Sequence, residues 1–356
     1  MEEFNLDAFE SYAKIVVIGC GGGGSNAVNQ MVEEHMRGVT FWVCNTDAQA
    51  LANSKAEHRL VIGRDITNGL GAGGNPNIGK AAAEASIDDL YEIIQGANMV
   101  FIAAGMGGGT GTGAAPVVAK VAKDCGALTV AIVTRPFSFE GERRRKNAVN
   151  GINALKDNVD AMIIVSNDKL MMMNGTRPIG EAFAESDRVL AQSVKTITDL
   201  IVVPGVINLD FADVKSTLKD LGLALIGFGM GSGPKKANDA ASSALLSPLL
   251  EASIHGAHSI IANVTCGNNV SLDDVKEAID YITSASGINP NIIFGVQENP
   301  ELNDQMLISI VATEFDNDFD PFAEVPAAPQ TIVSAAPTNE EEDEEEESIL
   351  PSFLNN

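Results

Sequence analysis

Short apolar runs alternate with helical stretches through the first half of the chain. Lys14–Ile18 is largely β-branched and ends at Gly19, a glycine cluster follows, and Ala27–Met36 has the character of a helix. This order of strand, loop and helix recurs. Such alternation predicts a parallel sheet with helices on both faces and a ligand at the carboxyl ends of its strands. Further strands are predicted at Val39–Cys44, Met99–Ala104, Leu128–Val133 and Ala161–Val165, and further helices at Ile78–Gln95 and Ala114–Cys125.

The pattern also divides the chain into segments. A long helix is predicted over residues 180–203, where Pro204 stops it, and this helix joins the first α/β domain to a second α/β or α+β domain. The ordered part is expected to end near Phe315. The segments are an N-terminal extension (1–12), a first domain (13–179), the central helix (180–203), a second domain (204–315), an acidic disordered linker (316–347) and a terminal peptide (348–356).

Charge narrows the class of protein. The 23 basic and 48 acidic residues leave a net charge of −25, and residues 277–356 hold 18 acids and no lysine or arginine. Binding to nucleic acid and passive binding to anionic lipid both need clustered basic residues, so neither is expected. The N-terminus is acidic, and no apolar run approaches the roughly 18 residues that a membrane span needs. We predict a cytoplasmic protein without direct membrane insertion.

The four cysteines form no Cys-x-x-Cys pair and show no Cys/His ligand spacing. A protein-held zinc site or a disulfide framework is therefore not expected, and no metal ligands are assigned.

The end of the chain combines an acidic run with a short apolar segment. Glu340–Glu347 is eight consecutive acids, and Ser348–Asn356 brings back four apolar side chains within nine residues. The acidic run predicts a disordered linker. The apolar segment is either a frayed end or a docking peptide that folds on a partner.

Two glycine loops follow predicted strands. The first, Gly19–Asn26, satisfies G-x-G-x-x-G, with Asp47 lying 23 residues beyond Gly24. Glycines let backbone N–H groups at a helix start approach phosphate oxygens, so this loop indicates a phosphate site without identifying the nucleotide. The second, Gly105–Gly113, adds two hydroxyls to a second such loop. A hydride-transfer enzyme does not need it, whereas a longer polyphosphate held from both sides does.

A third glycine-rich segment imitates a Walker loop. Gly74–Ala81 spells G-x-x-x-x-G-K, but Ala81 replaces the hydroxyl residue that would hold Mg²⁺, and no strand precedes it. We therefore interpret Gly69–Asn75 as a third loop lying over the phosphates.

Gly107–Gly113, with the sequence GGGTGTG, resembles the signature loop of the tubulin superfamily, and its surroundings resemble the bacterial cell-division GTPases of the FtsZ family. The similarity covers about residues 13–315. It includes, in order, Asn45–Leu51, Gly69–Gly73, Phe139–Gly141 and Asn208–Val214. The resemblance implies a tubulin-like fold: a Rossmann-like α/β domain with a parallel sheet that binds GTP, joined by the long central helix to the second α/β (α+β) domain.

The resemblance also implies the site, with GTP as substrate and Mg²⁺ as cofactor. Phosphates would meet both glycine loops, Glu140 and Arg144 would face the ribose side, and guanine would lie beside Asn26 and Asp187 with Phe183 stacked on it. A carboxylate accepts both the N1–H and the 2-amino group of guanine, which adenine lacks. The implied GTP-binding residues are Gly22, Gly23, Gly24, Ser25, Asn26, Asn45, Ala72, Gly73, Gly109, Thr110, Gly111, Thr134, Glu140, Arg144, Phe183 and Asp187.

The phosphate loops contain no obvious catalytic base or metal-holding carboxylate. The resemblance implies that Asn208, Asp210 and Asp213 of the next subunit complete the site, since the family holds its nucleotide between subunits. Spacing alone favours a different role, in which one of the two aspartates caps the following helix.

The resemblance further implies head-to-tail filaments that form the division ring at midcell, at the inner face of the cytoplasmic membrane. Ile349, Pro351, Phe353 and Leu354 resemble the family's partner-binding tail, so Ser348–Asn356 would bind membrane-tethering and regulatory division proteins. Two alternatives stay open: an NAD-binding Rossmann oxidoreductase, which fits the first loop only, and a GTP-binding filament protein without turnover.

Overall fold

The structure is a computed structural model and describes residues 13–174, 178–247, 249–250, 254–287 and 289–315. The predicted N-terminal extension, acidic linker and terminal peptide lie outside these residues. In the described part of the chain, no helix combines the length and apolar character needed to cross a bilayer.

Ten strands form one sheet in the described chain, and most of them are parallel. The strands are β1 (Ile15–Cys20), β2 (Val39–Asn45), β3 (His58–Val61), β4 (Met99–Gly105), β5 (Leu128–Arg135), β6 (Ala161–Ser166), β7 (Gly222–Ser232), β8 (Ala257–Cys266), β9 (Asn291–Glu298) and β10 (Gln305–Phe315). Their order across the sheet is β3-β2-β1-β4-β5-β6-β7-β10-β8-β9. Strands β1 to β7 pair in parallel, β10 is antiparallel to β7 and β8, and β9 is parallel to β8. The predicted α/β architecture is confirmed.

Helices cover both faces of the sheet. The crossovers from β1 to β2 and from β4 to β5 run in opposite directions across the sheet, so their helices lie on opposite faces. The helices are α1 (Gly21–Glu33), α2 (Ala48–Ala52), α3 (Arg64–Thr67), α4 (Pro76–Ala85), α5 (Ile87–Ile94), α6 (Thr110–Asp124), α7 (Glu142–Lys156), α8 (Asn167–Asn174), α9 (Ile179–Val202), α10 (Phe211–Leu218), α11 (Lys236–Leu245) and α12 (Leu272–Ala285), with single 3-10 turns at Ser138–Glu140, Gly233–Lys235 and Pro300–Leu302.

Three predicted helices have different bounds in the structure, and one of them is α6, which begins at Thr110 and not at Ala114. The helix expected at Ile78–Gln95 is two helices, because Ser86 leaves the helical conformation and its buried hydroxyl accepts a hydrogen bond from the Gly63 N–H at 3.0 Å. The helix expected to begin at Ala27 begins at Gly21, inside the first glycine loop. Strand β3 and helices α2, α3, α7 and α8 were not predicted.

Helix α9 occupies the predicted central-helix position and runs along the strand direction. We call the side of the sheet where the parallel strands end its carboxyl edge, and the side where they begin its amino edge. At its start, the Ser186 hydroxyl bonds to Asn167, which directly follows β6. At its end, Val202 lies against Gly38, which directly precedes β2; a Cβ atom on Gly38 would lie 2.2 Å from the Val202 Cγ1 atom. Helix α9 therefore begins at the carboxyl edge of the parallel strands and ends at the amino edge.

Three alternate glycines of β7 let α11 pack directly on the strand backbone. A Cβ atom at Gly227, Gly229 or Gly231 would lie 2.3, 2.1 or 2.1 Å from a carbonyl oxygen of α11. Because successive strand residues face opposite sides, these glycines form one stripe under the helix. Any side chain in the stripe must push the helix away.

We expect Gly229→Ala to destabilise the protein by about 1–3 kcal/mol or more, because a methyl group there overpacks the contact between strand and helix. The measurement is the free energy of unfolding by denaturant. Gly180→Ala is the matched control: a Cβ atom there meets nothing within 4 Å, and alanine favours the first turn of α9. Equal stability of the two variants would contradict the direct packing of α11 on β7.

Candidate functional site

The two glycine loops meet backbone to backbone at the carboxyl edge of β1 and β4. A Cβ atom on Gly21 would lie 2.7 Å from the Gly111 nitrogen, and one on Gly23 would lie 3.2 Å from the Gly105 Cα atom. Gly21 also has a φ of +69°, which favours glycine. The glycines are therefore needed to bring the loops together as well as to admit a ligand.

Each loop leads directly into a helix whose first N–H groups lack a side-chain cap. Helix α1 begins at Gly21 and α6 begins at Thr110, and neither has an acidic residue in its first turn. The unpaired N–H groups and the positive ends of both helix dipoles therefore act on the same region. Such a region binds anions.

The region has room and unused hydrogen-bonding capacity for an oxygen-rich group. A Cβ atom at Gly22 or Gly108 would meet no atom within 4 Å. The buried Ser25 hydroxyl has no hydrogen-bond partner among the described residues. These features fit a phosphate chain, with oxygens that accept hydrogen bonds from both loops.

The third loop is held beside the end of β2. The Gly71 N–H donates to the Thr46 carbonyl at 3.1 Å, and the Ala48 N–H donates to the Gly69 carbonyl at 3.0 Å. Ala72 is buried and Gly73 is exposed. The predicted position of this loop next to the phosphate region has structural support, since a Cβ atom on Gly109 would contact Ala72 at 2.9 Å.

The Walker-like segment serves a packing contact. A Cβ atom on Gly79 would lie 2.4 Å from the Gly109 carbonyl oxygen, so α4 packs closely on the second glycine loop. Lys80 is exposed and forms an ion pair with Glu84 at 3.8 Å.

A cluster of aromatic and charged side chains lies just after the end of β5 and beside the start of α9. Phe137 stacks on Phe139 and meets Phe183 edge to face, with both ring-centroid distances 5.0 Å. Glu140 accepts the Phe137 N–H at 2.9 Å and forms an ion pair with Arg144. Phe183 remains 42% exposed, which leaves part of its surface available to a planar ligand.

Asp187 lies one helical turn after Phe183, and burial raises the pKa of its carboxyl to about 7. Helix α9 packs on α1, which carries the exposed Asn26. A ligand that donates two hydrogen bonds to the charged form of this carboxyl would favour that form and offset the effect of burial. The shift therefore marks Asp187 as a candidate for ligand recognition.

Asn208, Asp210 and Asp213 lie far from the glycine loops of the same molecule. They belong to the amino-edge loop, which we define as residues 204–213; it follows the end of α9 and includes the first turn of α10. Asp210 caps α10, with its carboxylate accepting the Asp213 N–H at 2.9 Å, and the Asn208 side chain accepts the Gly205 N–H at 2.6 Å. Asp213 is exposed. The capping role that spacing favours is thus present in Asp210.

The lengths of α9 and α6 give the separation between the start of this loop and the phosphate region. From Asp187 to Val202, α9 spans about 22 Å at 1.5 Å per residue. From Thr110 to Lys123, α6 spans about 20 Å, and Lys123 pairs with Asp220 just beyond α10 at 3.0 Å. The far ends of both helices, beside which the amino-edge loop begins and α10 ends, thus lie about 20 Å from the phosphate region.

The remaining predicted residues flank the region, and one neighbour was missed. Asn45 ends β2 and Thr134 lies near the end of β5; both are buried. The sequence reasoning missed Thr46, whose hydroxyl oxygen lies 2.6 Å from that of Thr110. Its position directly after a strand that ends at the ligand edge was the available signal.

Among the described residues, no group of three or more His, Cys, Asp or Glu side chains is arranged to hold a metal ion.

Fold and site together define a nucleotide-binding α/β protein with two facing phosphate loops. Residues 14–175 match the Tubulin/FtsZ family, GTPase domain, and residues 222–316 match the FtsZ family, C-terminal domain. A solved FtsZ dimer from M. jannaschii is 42% identical with a TM-score of 0.82, and the match covers 86% of this chain and 90% of that chain. The chain belongs to the FtsZ family. It is a GTPase and a GTP-dependent cytoskeletal filament protein, and the expected family resemblance is confirmed.

More distant structures share the fold. CetZ1 from Haloferax volcanii, solved as a GDP-bound monomer, is 21% identical with a TM-score of 0.73, and the match covers 85% of this chain and 95% of that chain. CetZ2 from the same organism, solved as a GTPgS-bound protofilament, is also 21% identical, with a TM-score of 0.71 over 85% of this chain and 94% of that chain.

We expect Asp187→Asn to stabilise the nucleotide-free protein at about pH 8, with a gain that shrinks as the pH is lowered from about 7 to 4. An unperturbed Asp titrates near 3.9, so the folded state holds a proton that the unfolded state has released in this window. The stability contributed by the protonated carboxyl is present below that window and is lost as pH rises, by at most about 1.4 kcal/mol per pH unit. The measurement is the unfolding free energy against pH, with the exposed Asp157→Asn as a control for removal of one carboxylate. An Asp187→Asn effect that is independent of pH would contradict the buried-carboxyl assignment.

Proposed function

We propose that the chain hydrolyses GTP at head-to-tail junctions, where one subunit supplies the two glycine loops and the next supplies the amino-edge loop. The observation that carries this proposal is the separation of about 20 Å between Thr110 and the far end of α6. The site is incomplete in one subunit. A heterologous contact that does not close into a ring generates an open filament, in which each junction completes one site.

The nucleotide is proposed to lie with its phosphates on the glycine loops and its base beside α9. Gly22, Gly23 and Ser25 and Gly109–Gly111 bind phosphate oxygens from the two sides, with the Gly24 backbone and the third-loop residues Ala72 and Gly73 closing around them. Glu140 and Arg144 face the sugar, Phe183 stacks on guanine, and Asn26 and Asp187 bind its polar edge. Asn45 and Thr134 support the region from the ends of their strands.

Mg²⁺ is proposed to bind mainly through the phosphate oxygens and water, as it commonly does in nucleotide sites. It would supply positive charge to offset the developing negative charge on the phosphates. The hydroxyls of Ser25 and Thr110 are the oxygen groups that the two loops offer to this region. No all-protein cage is required.

The amino-edge loop is built to present polar groups outward. One carboxylate oxygen of Asp210 caps α10, and the other can accept a hydrogen bond from a water molecule. Asn208 uses its amide oxygen on Gly205, so its NH₂ group is left to donate. Asp213, in the first turn of α10, can orient the attacking water and accept its proton. Attack at the γ-phosphorus breaks its bond to the bridging oxygen and yields GDP, phosphate and a proton.

The similar M. jannaschii FtsZ was solved as a dimer, which supports homo-oligomerisation of this chain. The family assignment also removes the NAD-binding oxidoreductase from consideration. It removes the filament protein without turnover as well, because residues 14–175 match a GTPase domain.

We expect GTPase activity per subunit to rise with protein concentration, since each active site needs two molecules. The measurement is phosphate release across the assembly range, followed by light scattering in parallel. A rate per subunit that stays constant across that range would contradict a shared site.

An equal mixture of two variants tests whether the two halves of the site lie on different subunits. Gly22→Val fills a space that meets no protein atom, so it should block phosphate binding while leaving the fold intact. Asp213→Ala should retain GTP binding and lose turnover. In an equal mixture, roughly a quarter of randomly paired junctions join two intact halves. Activity in the mixture above that of either variant alone is expected. No gain, with both variants folded and co-assembled, would place the two groups in the same subunit.

We also propose that the filaments form the division ring at midcell and that Ser348–Asn356 binds membrane-tethering and regulatory proteins. This peptide lies outside the described residues, and the support comes from its sequence and from the acidic Glu340–Glu347, which is repelled by anionic lipid.

Deleting Ile349–Asn356 is expected to leave GTP-driven assembly unchanged and to abolish recruitment to vesicles that carry a tail-binding adaptor. Co-sedimentation with vesicles measures recruitment, and light scattering measures assembly. Binding of the full-length protein to anionic vesicles without an adaptor would contradict this role, as would failure of the truncated protein to assemble.

A further inference from the structure

Thr46 links two loops of the GTP site from a fully buried position. It directly follows β2, and its hydroxyl oxygen lies 2.6 Å from the hydroxyl oxygen of Thr110, the first residue of α6. Its carbonyl accepts both the Gly71 N–H at 3.1 Å and the Thr67 hydroxyl at 3.2 Å. One residue thus contacts the second glycine loop through its side chain and the third loop through its backbone.

The backbone on both sides of Thr46 is held in place. The Asn45 carbonyl accepts the Ile62 N–H at 3.0 Å, and the Asp47 carboxylate caps α2 by accepting the Gln49 N–H at 2.9 Å and the Ala50 N–H at 3.1 Å. The Thr46 side chain therefore projects from a fixed backbone. Its hydroxyl presents a defined partner to Thr110.

The contact with Thr46 fixes the side-chain rotamer of Thr110. Threonine side chains in helices divide between two χ1 rotamers, since the hydroxyl has alternative hydrogen-bond partners. A hydrogen bond to the fixed Thr46 selects the rotamer of Thr110. The hydroxyl that meets the phosphate chain is then oriented before the nucleotide arrives.

The direction of the hydrogen bond follows from the charge of the ligand. A phosphate oxygen only accepts, so the Thr110 hydroxyl must donate to it. The Thr110 oxygen is then free to accept a hydrogen bond from Thr46. Two hydroxyls in series, ending on an anion, strengthen each other because each polarises the next.

We propose that Thr46 is a positioning residue, which orients the Thr110 hydroxyl towards the phosphate chain of GTP and fixes the third loop relative to it. This inference rests on the proposed function, in which Thr110 contacts the phosphates. Thr46 itself touches no nucleotide. Its effect on GTP binding passes through Thr110.

The experiment measures GTP affinity of the monomer, below the assembly threshold, for Thr46→Val, Thr46→Ser, Thr110→Val and the double variant Thr46→Val/Thr110→Val. Thr46→Val keeps the shape and removes the hydroxyl, and we expect it to weaken GTP binding about 2- to 12-fold, the effect of one hydrogen bond. Thr46→Ser, which retains the hydroxyl, should bind within about twofold of the unchanged protein. The double variant should bind no more weakly than Thr110→Val alone, because both substitutions break one series of hydrogen bonds.

Thr129→Val is the matched control for loss of a buried hydroxyl. Thr129 is fully buried at the start of β5, at the opposite edge of the sheet, and its hydroxyl donates to the Ala127 carbonyl at 3.1 Å. It should lose stability without losing GTP affinity. Thermal unfolding of every variant separates the two effects.

The outcomes distinguish the inference from the proposal beneath it. If Thr110→Val binds GTP normally, the proposed placement of the phosphates is wrong. If Thr110→Val is impaired but Thr46→Val binds normally, or if the losses in the double variant add, the positioning role of Thr46 is wrong. Failure of Thr46→Ser to restore binding would also overturn that role.

Discussion

The close approach of two backbone loops is the constraint on which the rest of this molecule depends. Gly21 lies against Gly111 and Gly23 against Gly105, at distances that leave no place for a Cβ atom. The approach brings the starts of α1 and α6 together, and two helix dipoles then act on one small region. The neighbouring parallel strands β1 and β4 make this arrangement possible, because their crossovers leave in opposite directions across the sheet.

The lengths of α6 and α9 set a second constraint. Both helices begin at the carboxyl edge, and the contacts at their ends lie at the amino edge: Lys123 with Asp220, and Val202 with Gly38. They separate phosphate binding from the carboxylates proposed to act on the phosphate. In the proposed shared site, GTP hydrolysis therefore requires a second subunit, since neither helix can shorten to bring the two regions together.

The alternation of strands and helices was predictable because it follows from hydrophobic periodicity, which the packed sheet requires. Glycine loops after strands were also predictable, since few other roles need so many glycines. The break at Ser86 was not, because the residues on both sides favour a helix and the partner of Ser86 is Gly63, 23 positions earlier. Thr46 was missed for the same reason: its significance lies in a contact with Thr110, 64 positions away. Roles that arise from such contacts leave no periodic signal in the sequence.

The passage of α9 from one edge to the other has a consequence for a finite filament. If hydrolysis of each GTP requires the carboxylates of the next subunit, the subunit at one end of the filament has no such neighbour beside its glycine loops. The GTP of that terminal subunit is not hydrolysed until another subunit binds. The two ends of the filament then differ in nucleotide state as well as in shape.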